Sequence, residues 1–202
     1  MNTPTNSETR IDLLRHGEPL GGRRYRGQVD DALSERGWQQ MWQAVDGHTD
    51  WQQIITSPLQ RCRAFADLLG ERSRLPVHTE QRFAEVGFGA WEGKNRADLE
   101  RLFPGQIARF YRDPVNQRPP GAEPLDEFMS RVNSAFDELL PRFNGQSLLV
   151  VAHAGVIRAI MAHVLKIPPA AMYRIHVANA GMTRLTAGGE RSFQLIQHGV
   201  SR

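Results

Sequence analysis

The chain has 202 residues, 40% of them hydrophobic and 23% charged, which is enough to bury one sizeable core and a substrate pocket. Its 25 Lys+Arg face 22 Asp+Glu, interspersed rather than gathered in a run, which argues against a nucleic-acid partner. The one cysteine, Cys62, excludes an intramolecular disulfide and a thiolate metal cluster. No apolar run reaches the roughly 18 residues that a membrane helix needs, so a cytoplasmic protein is expected.

Residues 1–8 read as a disordered tail and 9–202 as one domain. Ile11–Leu14 is a compact apolar run, a buried strand that opens into a loop at Arg15-His16-Gly17. Ser34 suits the N-cap of a helix carrying Trp38, Met41, Trp42 and Val45. Gln53–Thr56 reads as a second strand. Ser57-Pro58 then starts a helix with Leu59, Cys62, Phe65, Ala66 and Leu69 on one face. The segment Phe83 to Asn95 is glycine-rich and irregular, short helices follow around 96–112, and Arg118-Pro119-Pro120-Gly121 marks a loop. One long amphipathic helix is predicted from Leu125 to Phe143. Leu148–Ala152 is a strand of parallel type ending at His153-Ala154-Gly155. A helix over Val156–Leu165 stops at Pro168-Pro169, and two or three short strands fill 173–197. Strands alternating with helices predict a three-layer α/β/α sandwich with a mostly parallel sheet. Ligands of such sheets bind beyond the carboxyl ends of the strands. Arg15-His16-Gly17 and His153-Ala154-Gly155 both fall there, with the following helices expected to aim N–H groups at an anion.

Five motifs in order then carry a resemblance. Leu14-Arg15-His16-Gly17-Glu18 is the first, followed by Gly27, Asp30, Leu33, Ser34 and Gly37. Ser57-Pro58-Leu59-Gln60-Arg61-Cys62 and the loop Glu85 to Gly93 come next, and His153-Ala154-Gly155-Val156 closes the set. Over roughly residues 10–186 the chain resembles the phosphoglycerate-mutase-like branch of the histidine phosphatase superfamily. The resemblance implies hydrolysis of a small-molecule phosphate monoester through a phosphohistidine, with no cofactor and no metal. It implies His16 as nucleophile, Arg15, Arg61 and His153 at the phosphate, and Glu85 as the acid that protonates the departing alcohol.

The residue types suit those roles. Only Lys94 and Lys166 are lysines, and arginine grips phosphate oxygens bidentately. Glu92 competes with Glu85 as the acid. Arg24 matches the family's arginine three residues before Gly27 and, with Gly17, completes the expected substrate contacts. Arg23, Arg24 and Arg26 read equally as a solvated basic loop and as a second anion or carboxylate contact at the pocket mouth. Glu18 reads as a structural partner, Cys62 as a packed thiol, and His48, His78, His163, His176 and His198 as structural or surface residues.

Only 68 positions separate Glu85 from His153, leaving a cap of about 86–125 that favours hydrolysis over a mutase reaction. Within the branch the details look most like alpha-ribazole phosphatases of cobalamin assembly. Tyr25, Phe88 and Trp91 would then wall a ribose and a flat base. A mutase-like or broad sugar and nucleotide phosphatase is the alternative, an inactive phosphate-binding scaffold is a third reading, and the assembly would be a monomer or homodimer.

Overall fold

A computed structural model describes residues 8–188 and 191–200. In chain order the elements are β1 (Thr9–Arg15), α1 (Glu35–Val45), β2 (Gln53–Thr56), α2 (Gln60–Ser73), β3 (Val77–Thr79), α3 (Arg96–Leu102) and α4 (Gln106–Arg112). α5 (Leu125–Asp137), α6 (Leu139–Arg142), β4 (Ser147–Ala152), α7 (Ala154–Val164), β5 (Met182–Gly188) and β6 (Arg191–Val200) complete them, with 3-10 turns at Gln81–Phe83, Gly89–Trp91 and Pro169–Arg174.

The strands form one six-stranded sheet in the order β3-β2-β4-β1-β5-β6. β1 pairs parallel with β4, and β2 lies parallel to β4 and β3, whereas β5 and β6 add on antiparallel. The two central strands are continuously buried because helices cover both faces. Ile11, Leu13, Leu148 and Val150 point to one face and pack with α5 and α7 residues such as Phe128, Val132 and Ile157. Leu14, Leu149 and Val151 point to the other and meet Met41, Phe65 and Leu69 of α1 and α2. This is the predicted three-layer sandwich.

Asp12 interrupts the β1 run. It is fully buried, yet Trp51 Nε1 donates to it at 2.8 Å and Arg184 holds it bidentately at 2.7 and 2.9 Å, so the charge is fully partnered.

Several expectations need correction. The helix predicted from Leu125 to Phe143 breaks after Asp137 into α5 and α6. Pro141 has no N–H to give to the Asp137 carbonyl and its ring would clash with it. The short edge strand β3 has no counterpart among the expected elements, whereas the two strands that follow the last 3-10 turn among the described residues fall within the two or three expected. The tail expected at residues 1–8 lies outside the described residues except for Glu8. The helix after β1 does not begin at the sheet rim either: residues 16–34 intervene before α1.

Candidate active site

β1 and β4 are parallel neighbours, with Arg15 opposite Ala152, so the two chain ends that follow them emerge side by side. The loop after β1 is pinned there. His16 N–H donates to Ala152 O at 3.0 Å, and Ala180 N–H donates to His16 O at 3.2 Å. The His16 and His153 rings consequently lie 5.2 Å apart, edge to face.

His16 is 5% exposed. Its Nδ1 sits 2.7 Å from the Gly17 carbonyl, which only accepts, so Nδ1 carries the proton. Burial, then the charges of Arg15 and Arg61, hold the ring's pKa well below the usual histidine range. A neutral ring protonated at Nδ1 leaves the lone pair on Nε2, which is the form a nucleophile requires. Gly17 has no space for a side chain, since a Cβ there would collide with the Gly37 backbone. Its role here is to orient His16.

The two arginines are anchored by carbonyls rather than by carboxylates. Arg15 Nη1 donates to Val177 O at 2.7 Å, while Arg61 donates to Val29 O at 2.7 Å and Gly27 O at 3.0 Å. The Nε of each is buried with no partner. Burial, with Arg158 and Arg61 adding to it and Glu85 opposing, brings the Arg15 pKa down to about 10, so it remains charged at neutral pH. Unpaired buried N–H groups cost about 1–3 kcal/mol each, which an arriving anion would recover.

His153 caps α7 and is fully buried. Ser57 Oγ lies 2.6 Å from its Nε2, and Leu59 N–H steadies that hydroxyl at 3.3 Å. Nδ1 is therefore the ring nitrogen without an oxygen partner. Cys62 Sγ packs on the same ring at 3.6 Å from Nε2 and donates to Ala152 O at 3.3 Å, as a packed thiol would.

Glu85 reaches this group from the irregular loop. Its Oε2 accepts from Gly155 N at 3.0 Å and its Oε1 from Val86 N at 2.9 Å. One N–H of the first turn of α7, that of Gly155, thus holds a carboxylate of the chain itself. A Cβ on Gly155 would collide with that carboxylate, which explains glycine there. Glu92, the competing acid, accepts from Gln28 N at 3.1 Å and Phe88 N at 3.0 Å and serves as a loop brace.

A profile of the histidine phosphatase superfamily (branch 1) matches residues 11–199. The chain belongs to this superfamily. It is 31% identical over 196 residues to bifunctional protein Rv2228c of Mycobacterium tuberculosis, covering 93% of this chain but only 53% of that one. It thus spans about half the length of that relative. Glucosyl-3-phosphoglycerate phosphatase of Mycobacterium tuberculosis is 32% identical over 191 residues, covering 88% and 85% of the two chains. Adenosylcobalamin/alpha-ribazole phosphatase of Salmonella typhimurium is 30% identical over 173 residues, covering 83% and 85%. The solved mycobacterial glucosyl-3-phosphoglycerate phosphatase in complex with VO3 superposes with a TM-score of 0.85 at 30% identity, covering 95% of this chain and 99% of that one.

The structure separates the remaining expected residues. Arg24 is exposed and folds onto its own loop, donating to Gly21 O at 3.0 Å. Arg26 is instead buried against Asp31 at 2.9 Å and the Leu20 carbonyl, so it fixes the loop. Trp91 is fully buried, packed on Tyr25 and Phe110 and bonded to Gln106, and Phe88 is nearly as buried. Trp91 and Phe88 form the core of the cap, not an open wall for a base. Glu18 is structural, its carbonyl and carboxylate both held by Ser34. Arg131 carries no signal in sequence spacing. It donates to the Arg82, Ala84 and Glu85 carbonyls and pairs with Glu123, fixing the loop that carries Glu85. Among the described residues no cluster of His, Cys, Asp or Glu is arranged to hold a metal ion, and no helix is long and apolar enough to cross a membrane.

The two buried neutral histidines predict an acid limit to stability. Burial depresses both pKa values, and for His153 the Arg61 charge adds to it. Below the unfolded value of about 6.5 the unfolded chain binds protons that the folded chain refuses, so stability falls as pH drops through that window. Two such groups give a slope of up to about 2.7 kcal/mol per pH unit. Denaturant titrations from pH 7 to 5 should show the decline, and it should be shallower in a His16→Gln variant.

Proposed function

We propose that this chain hydrolyses small phosphate monoesters through a phosphohistidine on His16. The observation that carries the reading is a neutral imidazole with its lone pair on Nε2, set beside two buried guanidinium groups that have no carboxylate partner. In the first step Arg15 and Arg61 neutralise the phosphoryl oxygens and His153 Nδ1 supplies a further donor. His16 Nε2 bonds to phosphorus as the P–O ester bond breaks, and Glu85 gives its proton to the departing alkoxide. In the second step the ionised Glu85 takes a proton from water, the water oxygen attacks phosphorus, and the P–N bond breaks to return neutral His16 and inorganic phosphate. The chemistry asks the protein for positive charge, a nucleophile and one transferable proton, all of which its own side chains supply.

Residues 9–202 would form the catalytic domain, with the cap of about 86–125 contributing α3 and α4 above the strand ends. For the substrate, the relatives support a phosphorylated sugar acid of the glucosyl-3-phosphoglycerate type. Alpha-ribazole 5'-phosphate is the second reading, supported by the Salmonella relative and weakened by the burial of Phe88 and Trp91. Release of inorganic phosphate from a panel of monoesters tests the reaction. Turnover should persist after exhaustive EDTA treatment; loss on chelation that one divalent ion restores would refute the arginine-based account.

A further inference from the structure

Nine arginines among the described residues are buried or half-buried, and they fall into two sets. Arg10, Arg26, Arg82, Arg131 and Arg184 each pair with a carboxylate. Arg15, Arg61, Arg118 and Arg158 do not. The mechanism uses the first two of that second set and leaves Arg118 and Arg158 without a task.

These two flank one phenol. Arg118 Nη1 is 3.5 Å from Tyr173 Oη, and the Arg158 guanidinium carbon is 5.6 Å from the Tyr173 ring centroid. Both are held in place by carbonyls: Arg118 Nη2 donates to Gly87 O at 3.1 Å and Arg158 Nε to Ile175 O at 2.8 Å. Arg118 Nε is buried with no partner, as in Arg15 and Arg61. Their anchors lie next to the reacting groups. Gly87 is two residues from Glu85. Ile175 is two residues from Val177, which holds Arg15. Arg158 stands one turn along α7 from Gly155, which holds the Glu85 carboxylate. The pair therefore sits on the Glu85 side of the pocket, where the departing alcohol would leave. Two confined cations with free donors and no counter-ion match a small planar anion.

We infer that Arg118, Arg158 and Tyr173 form a second anion subsite that takes a carboxylate on the leaving alcohol. The inference rests on the phosphatase reading and narrows its substrate to phosphate esters of hydroxy acids; a ribose carrying a flat base offers no such group. The test is a matched pair, 3-phosphoglycerate and glycerol 3-phosphate, which differ by a carboxylate against a hydroxymethyl group. The wild-type chain should favour the acid in kcat/KM by about tenfold or more. In Arg118→Gln and Arg158→Gln that ratio should fall by about tenfold, and in Tyr173→Phe by a few fold. A wild-type ratio at or below one overturns the inference, as does a ratio that survives both arginine replacements in folded protein. Turnover of p-nitrophenyl phosphate separates the two levels. With it, a missing preference refutes only the subsite; without turnover of any of the three esters, the phosphatase reading falls and the subsite with it.

Discussion

His16→Ala is expected to lower phosphate release from every monoester by at least about 10,000-fold, with the far-ultraviolet circular dichroism of the folded chain preserved. The size of the effect follows from the absence of a substitute beside it. His153 is the nearest imidazole, 5.2 Å away ring to ring, but its Nε2 is occupied by the Ser57 hydroxyl. The Cys62 thiol is pushed up in pKa by burial and stays protonated, so it is a poor nucleophile. Arg15 and Arg61 would still bind a phosphate dianion, which places the loss in kcat rather than in KM. A variant that kept more than about a tenth of the wild-type rate would remove His16 from the mechanism.

Glu85→Gln should cost about 100–10,000-fold in kcat for alkyl esters, because glutamine has no proton to transfer. The substitution keeps an acceptor for Val86 N or for Gly155 N, but not for both in the present geometry, so part of the loss is positional. The leaving group separates the two contributions. With p-nitrophenyl phosphate, whose phenolate departs without help, the first step should suffer far less than with an alkyl ester. Glu92→Gln is expected to loosen the loop by weakening the contacts to Gln28 and Phe88, with a smaller effect on kcat. Equal slowing of alkyl and aryl esters in Glu85→Gln, or a larger defect in Glu92→Gln, would reassign the acid.

The centre of the fold is legible because its signals are local. Ile11–Leu14 and Leu148–Ala152 are apolar runs whose ends place Arg15, His16 and His153 at the strand termini where parallel sheets bind ligands. Helix α1 follows from its Ser34 cap and apolar spacing. Helix α2 follows from apolar spacing alone, since it begins at Gln60 with Leu59 at its N-cap and no side-chain cap, two residues past the cap expected at Ser57. Pro141 was the overlooked breaker in the helix of residues 125–143. β3 was missed because three residues at a sheet edge, two of them polar, carry no alternation. Glu85 could be picked out only through the family resemblance, since nothing in loop composition separates it from Glu92. The hydrogen bonds that do separate them join residues 57–70 positions apart. Arg118, Arg131 and Arg158 were silent for the same reason. A carboxylate-free arginine is recognised by what surrounds it in space, and no local pattern records that. Trp91 and Phe88 show the converse error, since aromatic residues near a motif read as a ligand wall until their burial is seen.

The central claim, a covalent phosphoryl group on His16, is tested most directly by rapid quench of the wild-type chain with a phosphate-labelled monoester. The account predicts a labelled protein within the first turnover whose phosphoryl group is lost in acid and stable in base, mapped to His16 by fragmentation and absent from His16→Ala. Full phosphate release with no labelled protein, or an acid-stable label on a hydroxyl or carboxyl side chain, would contradict it.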